Sequence, residues 1–132
     1  MLFMRQYLNL LSGIMKTNKL RIWHISDTHG YHDQLVLPED IDLIIHTGDC
    51  SNSKIPAINE GEVYRFIEWY SKLDCMKIYS PGNHDTSIEH RLVRPKDFTD
   101  RNIMYLENED IIINGIKFRI YKCDMLIAKV EK

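Results

Sequence analysis

The stretch from Met76 to Asp85, MKIYSPGNHD, decides the fold. Met76 to Tyr79 is a run of large, mostly apolar residues, which predicts a buried strand. Pro81-Gly82 is a turn pair that stops it. Asn83, His84 and Asp85 then follow as polar side chains at its carboxyl end. The same order recurs twice upstream. Lys19 to Ile25 (KLRIWHI) predicts a strand that runs into a loop from Ser26 to His32, with Gly30 as its hinge. Ile41 to His46 (IDLIIH) predicts a second buried strand that ends at Gly48-Asp49.

Between the second and third strands, Ser51 to Ile58 is polar, contains Pro56 and predicts a loop. Asn59 then opens a helix as its N-cap, with Glu62 completing a capping box. Val63, Phe66, Ile67 and Tyr70 form an apolar stripe at helical spacing, extended by Leu73. Strands alternating with a helix predict an α/β arrangement with parallel pairing. Functional loops of such sheets gather at the carboxyl ends of the strands. The three polar motifs therefore converge.

After Arg91 the character changes. Ile103 to Leu106 predicts a short strand. Ile111 to Ile113 and Ile116 to Tyr121 flank Asn114-Gly115, a strong hairpin signal that starts a second sheet. The boundaries are an N-terminal extension at residues 1–18, a domain at residues 19–121 and a tail at residues 122–132 with no assigned structure.

The 132 residues suit one domain, and 44% hydrophobic with 27% charged residues is enough apolar material for a core. A formal net charge of -2 argues against a global basic field for nucleic acid. Cys50, Cys75 and Cys123 match no zinc-knuckle spacing. Sparse, odd cysteines fit a reducing compartment, and the predicted location is cytoplasmic. No stretch is long and apolar enough to span a bilayer. Asn9, Ser12 and Gly13 break the mildly apolar opening from Met1 to Ile14, which argues against a secretory signal.

Each motif carries metal chemistry. Asp27 and His29 are two apart, so an extended backbone points both the same way to grip one ion. Asp49 has two oxygens and can bridge two cations about 3.5–4 Å apart. Asn83 offers a neutral amide oxygen. His84 can protonate a leaving group or hold a phosphoryl oxygen, and Asp85 is placed to bond the His84 ring and favour its charged form.

Taken together, Ser26-Asp27-Thr28-His29-Gly30, Gly48-Asp49 and Gly82-Asn83-His84-Asp85-Thr86-Ser87 resemble the small, compact branch of the calcineurin-like metallophosphoesterases. The resemblance covers about Leu20 to Tyr121. It implies a β-sandwich flanked by helices in four layers (α/β/β/α), with the second sheet incomplete here. It implies two-metal hydrolysis of phosphate mono- or diesters, and it does not choose among cyclic nucleotides, nucleic acid ends, phosphoproteins and small phosphodiesters. Asp27 and His29 would bind one ion, Asp49 would bridge, Asn83 would bind the second, and His84 with Asp85 would serve catalysis. The donor set suits manganese, iron, zinc or nickel.

The family adds later histidines, one in a downstream loop and two in a Gly-His-x-His segment. This chain has none beyond His90. His24, His32, His46 and His90 fit strand, loop or surface roles, with His32 the best placed of them for a substrate contact. The expectation is a chain cut after the first half of a family domain. One ion would bind weakly and the second hardly at all, and an open sheet edge would favour self-association. The alternative is an inactive relative or a partner-binding fragment.

Overall fold

The computed structural model describes residues 19–121 and the strand at 128–131. Residues 1–18, 122–127 and 132 lie outside the described residues, and with them the expectations for the N-terminal extension and most of the tail.

Four parallel strands form the first sheet in the order β1 (Ile22–Ile25), β2 (Leu43–His46), β3 (Met76–Tyr79) and β4 (Met104–Tyr105). β1 and β2 begin later than their apolar patterns suggest. The Asp42 carboxylate accepts the Arg21 N–H at 2.8 Å, and the Arg21 carbonyl accepts from Asp42 and Leu43. The parallel ladder starts only after that crossover.

β2 and β3 are buried along their whole length, as central parallel strands must be. Alternation sends their side chains to two layers. Leu43, Ile45, Met76 and Ile78 pack with Leu106, Ile113, Phe118 and Ile120 between the two sheets. Ile44 and Tyr79 pack on the opposite side with Val63, Phe66, Ile67 and Tyr70 of helix α1 (Pro56–Ser71). Lys77 is the polar exception in β3. Its Nζ donates to the carbonyls of Leu73 at 2.7 Å and Cys75 at 2.9 Å, tying down the turn between α1 and β3.

The start of α1 differs from the sequence expectation. The helix begins at Pro56, with Ile55 as its N-cap. Proline suits the first helical position because its missing N–H has no partner to lose there. Asn59 therefore lies inside the first turns. Glu62 does not close a capping box but accepts from the backbone N–H groups of Asn52 and Ser53. Two short helices, α2 (Thr86–Glu89) and α3 (Pro95–Thr99), were not expected.

The hairpin follows the sequence closely. β5 (Glu109–Ile113) and β6 (Ile116–Ile120) pair antiparallel around Asn114-Gly115, whose φ values of 52° and 73° give the left-handed turn that suits hairpin twist. β7 (Ala128–Glu131) pairs antiparallel with β6. β6 is thus paired on both sides, and β5 and β7 border this three-stranded sheet. Among the described residues the architecture is mixed α/β with layers of helix, parallel sheet and antiparallel sheet. The fourth layer is not among them.

Candidate metal centre

The three motifs meet at the carboxyl end of the parallel sheet, and backbone bonds bring them there. Past the strand ends, pairing between the first two loops continues. Thr47 N–H donates to Ile25, Asp27 N–H to Gly48 at 2.9 Å, His29 N–H to Asp49 at 3.1 Å and Gly30 N–H to Cys50 at 2.9 Å. The first loop therefore rides on the second. Its backbone is not extended: Asp27 and His29 have φ values of 52° and 44°, and Asp49 has 59°. The alternation argument for Asp27 and His29 fails for that reason. Their approach comes from two left-handed residues and the ladder to Gly48 and Asp49. Left-handed conformations at non-glycine residues cost roughly 1–3 kcal/mol each and gather at functional sites.

The second and third loops touch through glycines. Gly48 has a φ of 107°, and a Cβ there would lie 2.2 Å from the Gly82 nitrogen. A Cβ on Gly82 would lie 2.3 Å from Asp49 Oδ1. No side chain fits between these backbones.

The result is a cluster in which ligand atoms of Asp27, His29 and Asp49 all lie within 4.8 Å of one another. His29 Nδ1 is 2.9 Å from the Ser51 carbonyl, which only accepts, so Nδ1 carries the proton. Nε2, 3.7 Å from Asp27 Oδ1, is left with its lone pair. An outer hydrogen bond that fixes the ring in this way is the usual arrangement for a metal-binding histidine. Asp49 is buried, and its carboxyl is pushed up by burial and by the charges of Asp85 and Asp27, while the His84 N–H bond pulls it down. Two carboxylates and one imidazole so crowded fit a divalent cation, whose charge would relieve the repulsion between the carboxylates.

His84 stands over Asp49. Its N–H donates to Asp49 Oδ1 at 2.7 Å, and its ring Nδ1 is 3.6 Å from Asp49 Oδ2. The rings of His29 and His84 meet edge to face at 5.1 Å. Asn83 is exposed, with Oδ1 3.4 Å from His84 Nδ1.

Asp85 departs from its expected contact. Its carboxylate turns into the protein, where Oδ2 accepts from Tyr79 Oη at 2.6 Å, Gly82 N–H at 2.8 Å and Asp49 N–H at 3.1 Å. Oδ1 takes the Cys50 thiol at 3.7 Å. These donors use up the carboxylate, so it fastens the second loop to the third rather than charging the His84 ring. Burial raises both Asp85 and the Cys50 thiol. A protonated, buried thiol is chemically quiet.

The remaining histidines separate clearly. His32 is buried with its ring edge-on to Phe66 and tilted against Trp69, so it packs rather than contacting substrate. His46 does more than fill a strand. Its Nδ1 accepts the Gly48 N–H at 3.0 Å, which leaves the proton on Nε2 to donate to Thr28 Oγ1 at 3.0 Å. Fully buried, it is pushed down to about 3 and stays neutral. The position of His46, two residues before Gly48, was the available signal. Asn59, misassigned as a cap, gave no sequence sign of its long-range bonds.

Comparison with protein families gives a match. The family model described as calcineurin-like phosphoesterase fits residues 20–124. No curated protein matches the chain. Because that fit spans most of the chain and includes every loop that builds the cluster, the chain belongs to the calcineurin-like phosphoesterase family.

Proposed function

We propose that this chain is a metal-dependent phosphoesterase acting on phosphate mono- or diesters. The observation that carries the proposal is the convergence of Asp27, His29 and Asp49, with His29 held in its ligand tautomer. These three would hold one divalent ion, manganese, iron, zinc or nickel by donor type. Asp49 and Asn83 would share a second, making the centre dinuclear. When bound, such ions would supply Lewis acidity and a nucleophile at neutral pH. His84 leans over Asp49 with a ring that no short bond locks, so it is free to turn to a phosphoryl or leaving oxygen. Asp85 serves as a positioning residue, holding the backbone of Asp49 and Gly82.

No described helix is long and apolar enough to cross a membrane. Free, buried Cys50 and Cys75 support a reducing, cytoplasmic location. Self-association would use the β5 border, where Ile112 is 68% exposed.

The test is turnover of a generic aryl phosphodiester with added manganese. Activity that is abolished by Asp49→Asn supports the proposal. His84→Ala should lower turnover about 100-fold while sparing metal content, as expected for a proton-transfer group. Equal loss of both would remove His84 from that role. A second reading, a metal-binding relative without turnover, is favoured by one fact: within these 132 residues no histidine follows His90 to add to the three-donor cluster. Bound manganese with no hydrolysis would select it.

A further inference from the structure

Asn59 belongs to no motif, yet its side chain is fully buried and bonds to three separate segments. The two Nδ2 protons go to the His84 carbonyl at 2.9 Å and the Ser53 carbonyl at 2.8 Å, with Ser51 Oγ against the same nitrogen. Oδ1 accepts from Ser87 N–H at 3.0 Å and from Ser87 Oγ at 2.6 Å. The carbonyls only accept and the Ser87 N–H only donates, so the orientation of the amide is fixed. An N-capping asparagine would bond to its own helix. This one reaches out of α1 into the loops after β2 and β3.

The loop after β3 carries His84, and the loop after β2 holds the ring of His29, which lies on the loop after β1, through the Ser51 carbonyl. The Ser51 carbonyl accepts from His29 Nδ1, and the Ser51 hydroxyl oxygen lies against Asn59 Nδ2. His84 is held on both sides of its backbone, by Asp49 at the N–H and by Asn59 at the carbonyl. We infer that Asn59 is the positioning residue that sets the His29 ring and the His84 backbone relative to Asp49, and so tunes affinity for a divalent cation. The inference rests on the metal-centre proposal above and adds a residue to it.

Asn59→Asp separates this role from simple packing. The substitution keeps shape and the Ser87 bonds, but sets a carboxylate oxygen against two carbonyls. Ser87→Ala is the control, because it removes a bond on the other side of the amide. Titrating Mn2+ into both folded variants should show affinity about 10–100-fold weaker for Asn59→Asp, the usual effect of losing an outer-shell partner. Ser87→Ala should bind as the unaltered chain does while melting earlier. In the metal-free protein, the His29 ring N–H resonance should be lost in Asn59→Asp and kept in Ser87→Ala. Should Asn59→Asp not fold, Asn59→Ser removes the reach to both carbonyls without adding charge and carries the same expectations. Unchanged affinity and an unchanged ring resonance, or equal changes in both variants, would overturn the inference. If the unaltered chain binds no Mn2+, the metal-centre proposal falls, and the ring resonance still decides the role of Asn59.

Discussion

Asp85 and Asp110 are the same residue in opposite surroundings. Asp85, at the loop edge of the parallel sheet, is 2% exposed and held by two backbone N–H groups, a tyrosine hydroxyl and a thiol. No cation faces it among those donors, and burial raises its carboxyl. Asp110, on the outer side of the hairpin, takes a two-pronged bond from Arg119 at 2.7 and 3.0 Å and has Lys117 at 3.4 Å. That carboxyl is held down at about 2, chiefly by the Arg119 bond. The hairpin uses water-exposed charge that neighbours and salt can replace. The loop edge uses buried polar groups whose partners nothing else can supply. Stability and function should therefore be more tightly joined at the loop edge than on the hairpin.

Acid provides the largest break in that contrast. His46 is neutral in the folded chain down to about pH 3, whereas an unfolded histidine takes its proton near 6.5. Below 6.5 the unfolded state binds more protons, so stability falls as pH falls. The loss amounts to roughly 4 kcal/mol by pH 3. Denaturant titrations across that range should show the slope, and His46→Gln should flatten it. An unchanged slope in the variant would take the effect away from His46.

Gly48→Ala comes next. It forces a side chain into a left-handed position and against the Gly82 backbone, and should cost about 3 kcal/mol. Gly115→Ala, at a turn with open space, should cost clearly less in the same chemical denaturation series. Equal losses would mean that the close approach of the two loops is not tight.

Asp85→Ala strands two backbone N–H groups and should cost about 2 kcal/mol, with lower metal affinity because the Asp49 backbone is released. Asp110→Ala should give the smallest effect, a slight shift in melting temperature that vanishes in high salt. Because the folded pKa of Asp110 lies below its ordinary value, its contribution is present above about pH 4 and is lost as pH falls through about 2. A salt-insensitive loss would show that this exposed network is more than surface charge.

The same contrast explains what the sequence makes legible. Met76–Tyr79 and the Asn114-Gly115 hairpin can be read directly because local pattern and tertiary setting agree there. That the motifs share one end of the sheet follows from parallel pairing. What cannot be read is where buried polar side chains send their bonds. Asn59 and Glu62 have the spacing of a capping box, yet both bond to loops outside their helix. Asp85 adjoins His84 in sequence, but its carboxylate serves backbone groups from the other loop. The left-handed backbone at Asp27 and His29 depends on partners at Gly48 and Asp49, some twenty residues away. These are long-range hydrogen bonds, and neither periodicity nor propensity encodes them.

The proposed centre requires that separate loops form one cation cradle. Calorimetric titration with Mn2+ of the unaltered chain and of Asp27→Asn, His29→Ala and Asp49→Asn, taken singly, tests it most directly. The account predicts one shared binding event that every substitution weakens by at least about tenfold. A binding event that any one of the three leaves intact would show that these side chains do not hold the same ion.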